Sequence, residues 1–310
     1  MISLIVPVYN EQEAIPPFYR EVRGKLASLN VPVEVLFVDD GSRDGSLALI
    51  EALAEEDSLV SYLSFSRNFG KDAALFAGLE HCRGDAVIPM DVDLQDPVVC
   101  IPEMIAKWRQ GAELVLTKRV SRQSDSFCKR NSIRLFYWLH NKIAEAPMEE
   151  NSGDFMLLDR KVVDVLKQLP ERKPFLRGLS SWVGFTRDFV SYARHSRVAG
   201  QSKFGCRRLW NLALDSLTSF STWPLRVWTC IGASIALLSF AYAAFMILDT
   251  ILRGNPVPGY PSLMVAVLFL GSVQLIGIGI LGEYLGRIYH ETKQRHRFII
   301  RKSRVGGVRE

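Results

Sequence analysis

From residue 1 to about 118 the chain alternates between short apolar runs and longer stretches with an apolar residue every three or four positions. The short runs Ile2–Val8, Glu34–Val38, Val60–Phe65, Ala86–Met90 and Glu113–Thr117 predict strands. The helical pattern predicts helices over about 11–29, 44–56, 71–82 and 98–110. Strands alternating with helices imply an α/β fold with a mostly parallel sheet covered on both faces. Ligands of such sheets bind beyond the carboxyl ends of the strands. Polar clusters fall at those ends: Asn10-Glu11, Asp39-Asp40-Gly41-Ser42, Arg67 to Lys71, Asp91-Val92-Asp93 and Lys118-Arg119.

Beyond residue 200 the pattern changes. Val227–Leu248 and Pro261–Gly282 are each about 22 residues without a charge, long enough to cross a hydrocarbon core ~30 Å thick. A pair of buried soluble helices is the alternative, but neither span has a polar face beyond Ser, Thr and Gln274. The loop 249–260 carries one basic residue, Arg253, whereas Arg226 and a basic cluster lie outside the pair. The positive-inside rule then predicts both ends in the cytoplasm and the short loop outside. Residues 207–224 precede the first span, with Trp210, Leu214, Leu217 and Phe220 on one face, and predict an interfacial helix. A second amphipathic stretch, 125–144, reads equally as core packing or lipid contact.

The formal charge of +5 changes this picture only locally. Residues 287–310 hold eight Lys/Arg against two Glu, leaving the rest of the chain near neutral. A basic tail directly after an apolar span points to anionic lipid headgroups rather than nucleic acid. Five scattered cysteines without a Cys-x-x-Cys pair exclude a zinc site of that type and fit a reducing compartment. The first residues lack a basic segment and cleavage site, so no signal peptide is expected.

The chemistry concentrates in Gly84–Pro97, an apolar strand that ends in Asp91 and Asp93, followed by Gln95 and Asp96. In extended backbone, residues i and i+2 share a side, so the two carboxylates can converge. Hard oxygen donors of this kind suit Mg²⁺ or Mn²⁺, and the metal in turn suits a diphosphate. Asp96-Pro97 suits the start of the next helix as a cap.

Together, Val6-Pro7-Val8-Tyr9-Asn10-Glu11, Val38-Asp39-Asp40-Gly41-Ser42, Arg67-Asn68-Phe69-Gly70-Lys71 and Asp91–Pro97 resemble the inverting family 2 glycosyltransferases of GT-A fold. With the two apolar spans, Tyr260–Leu263 and Gly279–Tyr284, the chain is most similar to bacterial bactoprenol glucosyltransferases. The resemblance also extends to dolichyl-phosphate mannose synthases and aminoarabinose transferases. It implies a nucleotide-sugar site using Pro7, Tyr9, Glu11, Asp39, Lys71 and Asp91, with Asp39 recognising the base. It implies a metal held by Asp91, Asp93 and Gln95. Asp40 is open to two readings, a site residue or a turn and helix cap.

Asn151–Arg160 matches the segment that supplies the family's catalytic base, which puts Asp154 in that role. A phosphate monoester is already mostly dianionic at neutral pH, so Asp154 can equally be a group that orients the acceptor. Arg119, Arg130, Arg197, Ser202 and Lys203 are the candidates for the acceptor and diphosphate, Arg197–Phe204 resembling the family's Arg-x-x-Gly-x-Ser-Lys-aromatic segment. The implied organisation is a cytoplasmic transferase domain over 1–206, the interfacial helix 207–224, two membrane helices within 225–286 and a basic cytoplasmic tail over 287–310. The expected reaction moves glucose from UDP-glucose to undecaprenyl phosphate at the bacterial inner membrane, for O-antigen or other envelope glycans. Mannose or aminoarabinose donors, and a non-catalytic scaffold for a flippase, are the rival readings. Gly271, Gly277, Gly279, Gly282 and Gly286 permit close helix packing and suggest a homo-oligomer.

Overall fold

The structure, a computed structural model, describes residues 1–27, 29, 31–119, 141, 152–172, 174–192, 223–253, 259–306 and 308–309. The chain divides into two compact units, Met1–Ala213 with Arg295–Glu310, and Leu214–Gln294. In the first unit, the described strands form one nine-stranded sheet in the order β7-β5-β6-β4-β1-β2-β3-β8-β9. The strands are β1 (Ile2–Val8), β2 (Val33–Asp39), β3 (Val60–Phe65), β4 (Ala86–Pro89), β5 (Leu114–Arg119), β6 (Ser152–Asp159), β7 (Arg187–Tyr192), β8 (Ile300–Val305) and β9 (Val308–Arg309). Helices α1 (Ile15–Leu26), α2 (Ser46–Glu56), α3 (Lys71–His81) and α4 (Ile101–Arg109) connect the first five strands. Helices α5 (Arg160–Gln168) and α6 (Leu176–Trp182) separate β6 from β7. All five strands and four helices expected over the first 118 residues are present.

The continuous apolar runs form strands because both faces of the sheet are covered. Leu4, Val6, Phe18 and Phe37 are fully buried in one core cluster, with Phe18 and Phe37 meeting edge to face at 6.1 Å. Burying each such side chain contributes roughly 1.5–3 kcal/mol. β1 runs parallel to both β2 and β4, and β2 parallel to β3. Their registers bring Val8 beside Asp39 and Asp39 beside Ser64 on one rim.

At the opposite rim, the buried Glu34 carboxylate accepts hydrogen bonds from Ser3 Oγ at 2.7 Å, Ser61 Oγ at 3.2 Å and Arg83 Nε at 2.9 Å. It ties β1, β2 and β3 to the turn before β4.

Two features depart from the sequence expectation. β6 runs antiparallel between β4 and β5. Its first residues therefore lie at the rim where the parallel strands end. Second, the basic segment 287–310 is not simply a tail: its first residues complete a helix that runs to Thr292, and Ile300–Val305 forms β8, antiparallel to β3. Its charges suit a strand with only the two-residue β9 beyond it, since Lys302 reaches Glu51 at 2.9 Å and charges near a sheet edge resist pairing with other chains.

The second unit contains α7 (Trp223–Arg253) and α8 (Tyr260–Thr292). Among the described residues, Phe269–Gly286 in α8 is long and apolar enough to cross a membrane, and Val227–Tyr242 in α7 is a shorter apolar stretch. A side chain on Gly277 would collide with Trp228 of α7, so this glycine serves packing within the chain. The amphipathic stretch 125–144 lies outside the described residues apart from Asn141, as does 207–222 entirely.

Candidate active site

The rim at the carboxyl ends of β1–β4 is held by turns that bind one another. Asn10, with φ +52°, donates its backbone N–H to Ser42 Oγ at 3.0 Å and accepts from the Arg43 N–H at 2.8 Å. The Glu11 N–H donates to Ser46 Oγ at 3.0 Å. Tyr9 is exposed on this rim, and Pro7 is half-buried in β1. Asp39 is buried, and its carboxylate accepts from the Ser42 N–H at 3.0 Å and Ser64 Oγ at 2.8 Å. One oxygen thus holds the turn and the other ties it to β3.

Asp40 holds the loop that leads into α3 rather than capping the helix that follows it in sequence. Its carboxylate accepts from the N–H groups of Phe69 at 2.6 Å and Gly70 at 3.0 Å, at the start of α3. Burial raises its pKa, against the opposing pull of those two bonds. The neighbouring Gly41, with φ +69°, lies against the Arg67 backbone where a Cβ would not fit.

α3 begins at Lys71, whose ammonium is the centre of the site. Nζ lies 2.7 and 2.9 Å from the two oxygens of Asp91 and 2.9 Å from Oδ2 of Asp154. Asp154 Oδ1 pairs in turn with Arg177 of α6 at 3.3 Å. These four groups line one pocket with Leu75 and Phe155. Burial works against the charge on Lys71, but Asp154 and Asp91 outweigh it and hold the ammonium above its ordinary pKa. Burial likewise disfavours ionised Asp154, yet Lys71 and then Arg177 hold its carboxyl well below the usual range. Asp72, the next residue of α3, is pushed up to about 6 by burial and by the charge of Asp154.

The Asp91–Asp93 turn is not extended backbone. β4 ends at Pro89, and Leu94 has φ +56°. Strand alternation therefore does not bring the two carboxylates together; the turn sets them, with Asp93 Oδ1 accepting the Gln95 N–H at 3.2 Å. Among the described residues no group of three His, Cys, Asp or Glu side chains is poised around a metal. Two hard carboxylates still fit a cation that takes its remaining ligands from phosphates and water. Gln95 is buried, unlike the two aspartates. Asp96, expected as a cap, instead accepts the Tyr192 hydroxyl at 2.7 Å, and neither helical segment after it has a side-chain cap.

Arg177 is the residue the sequence reading missed. Its only local signal is a single cation in the otherwise uncharged run Phe175–Trp182. Arg119 ends β5, with its side chain outside the described set. Arg130, Arg197, Ser202 and Lys203 also lie outside the described residues.

Comparison with known proteins identifies the family. Residues 3–166 match the family "Glycosyl transferase family 2", and residues 223–288 match the "GtrB C-terminal hairpin". The chain is 58% identical to the SfII prophage-derived bactoprenol glucosyl transferase of Shigella flexneri, over 98% of this chain and 99% of that one. It is 56% identical to the prophage bactoprenol glucosyl transferase homolog of Escherichia coli K12, over 97% of this chain and 98% of that one. In fold it is similar to glucosyl-3-phosphoglycerate synthase from Mycobacterium tuberculosis, solved with Mn²⁺, UDP and phosphoglyceric acid. The TM-score is 0.50 at 18% identity, covering 70% of this chain and 76% of that chain.

Proposed function

Since the chain belongs to glycosyl transferase family 2 and is a glycosyltransferase, we propose that it moves glucose from UDP-glucose to undecaprenyl phosphate, with inversion at the anomeric carbon. The substrate class follows the relatives named bactoprenol glucosyl transferase, which match this chain from end to end. The observation that carries the reading is Lys71, whose ammonium lies within 2.9 Å of both Asp91 and Asp154 at the sheet rim.

The central energetic problem is bringing a dianionic phosphate to an anionic donor. Lys71 and Arg177 offset that repulsion from within one pocket. Asp154, held as an anion by those two cations, orients them and the acceptor and does not take up a proton near neutral pH. Asp91 and Asp93 would hold Mg²⁺ or Mn²⁺, which when bound neutralises the departing diphosphate. Tyr9 and Glu11 face the nucleotide, and Asp39 shapes the base site through the turn it holds. Arg119, Arg130, Arg197, Ser202 and Lys203 complete the anion route. The acceptor's long hydrocarbon chain is kept within reach by the apolar hairpin, which raises its effective concentration at the site.

The hairpin crosses the inner membrane twice, with the transferase unit and both termini in the cytoplasm. The connectivity supports this: the chain leaves the first unit and rejoins it at Arg295, as a hairpin that crosses twice would do. A cysteine placed at Asn255 should react with an impermeant reagent from the periplasm, and one at Arg304 should not. Labelling at position 304 would overturn the orientation.

The direct test is a donor screen with purified full-length enzyme, undecaprenyl phosphate and Mg²⁺ or Mn²⁺, followed by extraction of the lipid. A β-linked glucosyl phosphate lipid formed from UDP-glucose is expected. Product only from GDP-mannose or an aminoarabinose donor would reassign the sugar, and no product from any donor would favour a scaffold.

A further inference from the structure

The chain that follows α8 lies against the loop that leads into α3. Phe298 stacks on Phe65, with ring centroids 5.2 Å apart and planes 8° apart. Phe65 meets Phe69 edge-on at 5.7 Å, and the Arg67 guanidinium covers the Phe69 ring at 3.9 Å. The Ser66 N–H donates to the Ile299 carbonyl at 3.0 Å, where the β3–β8 register shifts. One residue before Phe298, Arg297 lies over the Phe76 ring at 5.4 Å, pairs with Glu80 at 3.6 Å and donates to the Leu169 carbonyl. Phe76 and Glu80 belong to α3, whose first residue is Lys71.

We propose that Arg297 and Phe298 are positioning residues for the transfer reaction, fixing loop 66–70 and α3 so that Lys71 sits between Asp91 and Asp154. Phe298 holds the entry loop and Arg297 holds the helix body, one on each side of Lys71. The loop needs this support. Gly70 has φ +102°, and the N–H groups of Phe69 and Gly70 both depend on the single carboxylate of Asp40. Lys71 Nζ must keep three oxygens within 2.9 Å, a geometry that a small shift of the helix start would break. A misplacement of about 1 Å in a site of this kind can cost 10²-fold in rate. The segment whose charge suggests a lipid-binding tail is therefore part of the construction of the site. Neither Arg297 nor Phe298 touches the pocket, so both act through loop 66–70 and α3.

The proposal rests on reading this rim as the donor site, and the experiment separates the two. Full-length Phe298→Ala, Phe298→Leu, Phe298→Tyr and Arg297→Ala are compared with wild type and with Lys302→Ala, a control on the same edge. Hydrogen exchange over residues 66–71, UDP affinity by calorimetry and donor KM are measured below each variant's melting temperature. In Phe298→Leu, exchange at Phe69 and Gly70 should rise about 10-fold. Its UDP affinity should fall about 3–10-fold, with donor KM rising to match. Phe298→Tyr, which keeps the stack, should stay within about twofold of wild type, and Lys302→Ala should be unchanged. If Phe298→Ala does not fold, the Leu and Tyr variants decide. A folded Phe298→Leu with a lower melting temperature but unchanged exchange over 66–71 and unchanged UDP affinity would overturn the proposal. Exchange needs no ligand, so it judges the positioning role even where wild type fails to bind UDP, a result that would fail the donor-site reading instead.

Discussion

The two ends of one sheet each carry a carboxylate held by cations, and they use it differently. At the amino-terminal rim Glu34 is fully buried, bonded by Ser3, Ser61 and both Nε and Nη2 of Arg83. Its partners come from adjacent strands and a short turn, which leave no space for a ligand. At the carboxyl-terminal rim Asp154 is only half-buried, and the partners of its carboxylate are the tips of Lys71 and Arg177, long side chains beside an open pocket. Those tips lie where an incoming anion would meet them, with Asp154 holding both in place. Similar charge pairing thus locks strands together at one rim and holds two cations beside a pocket at the other. The carboxyl of Asp154 titrates below its ordinary range, so its ionised form stabilises the fold at neutral pH. That contribution is lost only as pH falls through the carboxylate range.

Removing charge at each rim should therefore break different properties. The largest effect is expected at the functional rim: Asp93→Ala, or chelation of wild type, should reduce glucosyl transfer below detection. The melting temperature should stay within a degree or two, because Asp93 is a half-buried turn carboxylate outside the apolar core. Near-normal turnover in either case would remove the metal from Asp91 and Asp93. A smaller effect of the opposite kind is expected at the other rim. Arg83→Met leaves Glu34 buried with only serine and backbone donors, and should cost about 3 kcal/mol of stability, the low end for a broken buried pair. Arg83 itself is part exposed, which sets it at that end. Chemical denaturation measures the loss, and kcat below the melting transition should be unchanged. A fall in kcat without a fall in stability would erase the distinction between the rims.

Much of this division is legible in the sequence where it depends on local pattern. The first five strands and four helices follow from apolar periodicity, and the polar clusters fall at the strand ends they form. Asp91 and Asp93 stand out in the sequence as carboxylates after an apolar strand, although the turn around Leu94 that carries them does not. What escapes is the pairing of distant segments. β6 carries Asp154 to the rim only because it runs antiparallel between β4 and β5, which no local spacing encodes. β8 escapes for a different reason: Ile300-Arg301-Lys302-Ser303-Arg304-Val305 is too charged to read as a strand, and its main partner, β3, lies far back in the chain. Asp40 shows the same limit, since the backbone N–H it holds at Gly70 lies 30 residues later in the chain.

The central claim, that Asp154 anchors Lys71 and Arg177 and does not remove a proton, is tested most directly by the turnover of Asp154→Asn from pH 6 to 9 at saturating UDP-glucose and undecaprenyl phosphate. Loss of the anchor should lower kcat about 10²–10⁴-fold, the range usual for a lost acid–base or orienting group. The loss should be nearly constant with pH, because the acceptor phosphate is already largely dianionic. Steep recovery of the variant at alkaline pH would instead make Asp154 the general base, and near-wild-type turnover would take it out of the mechanism.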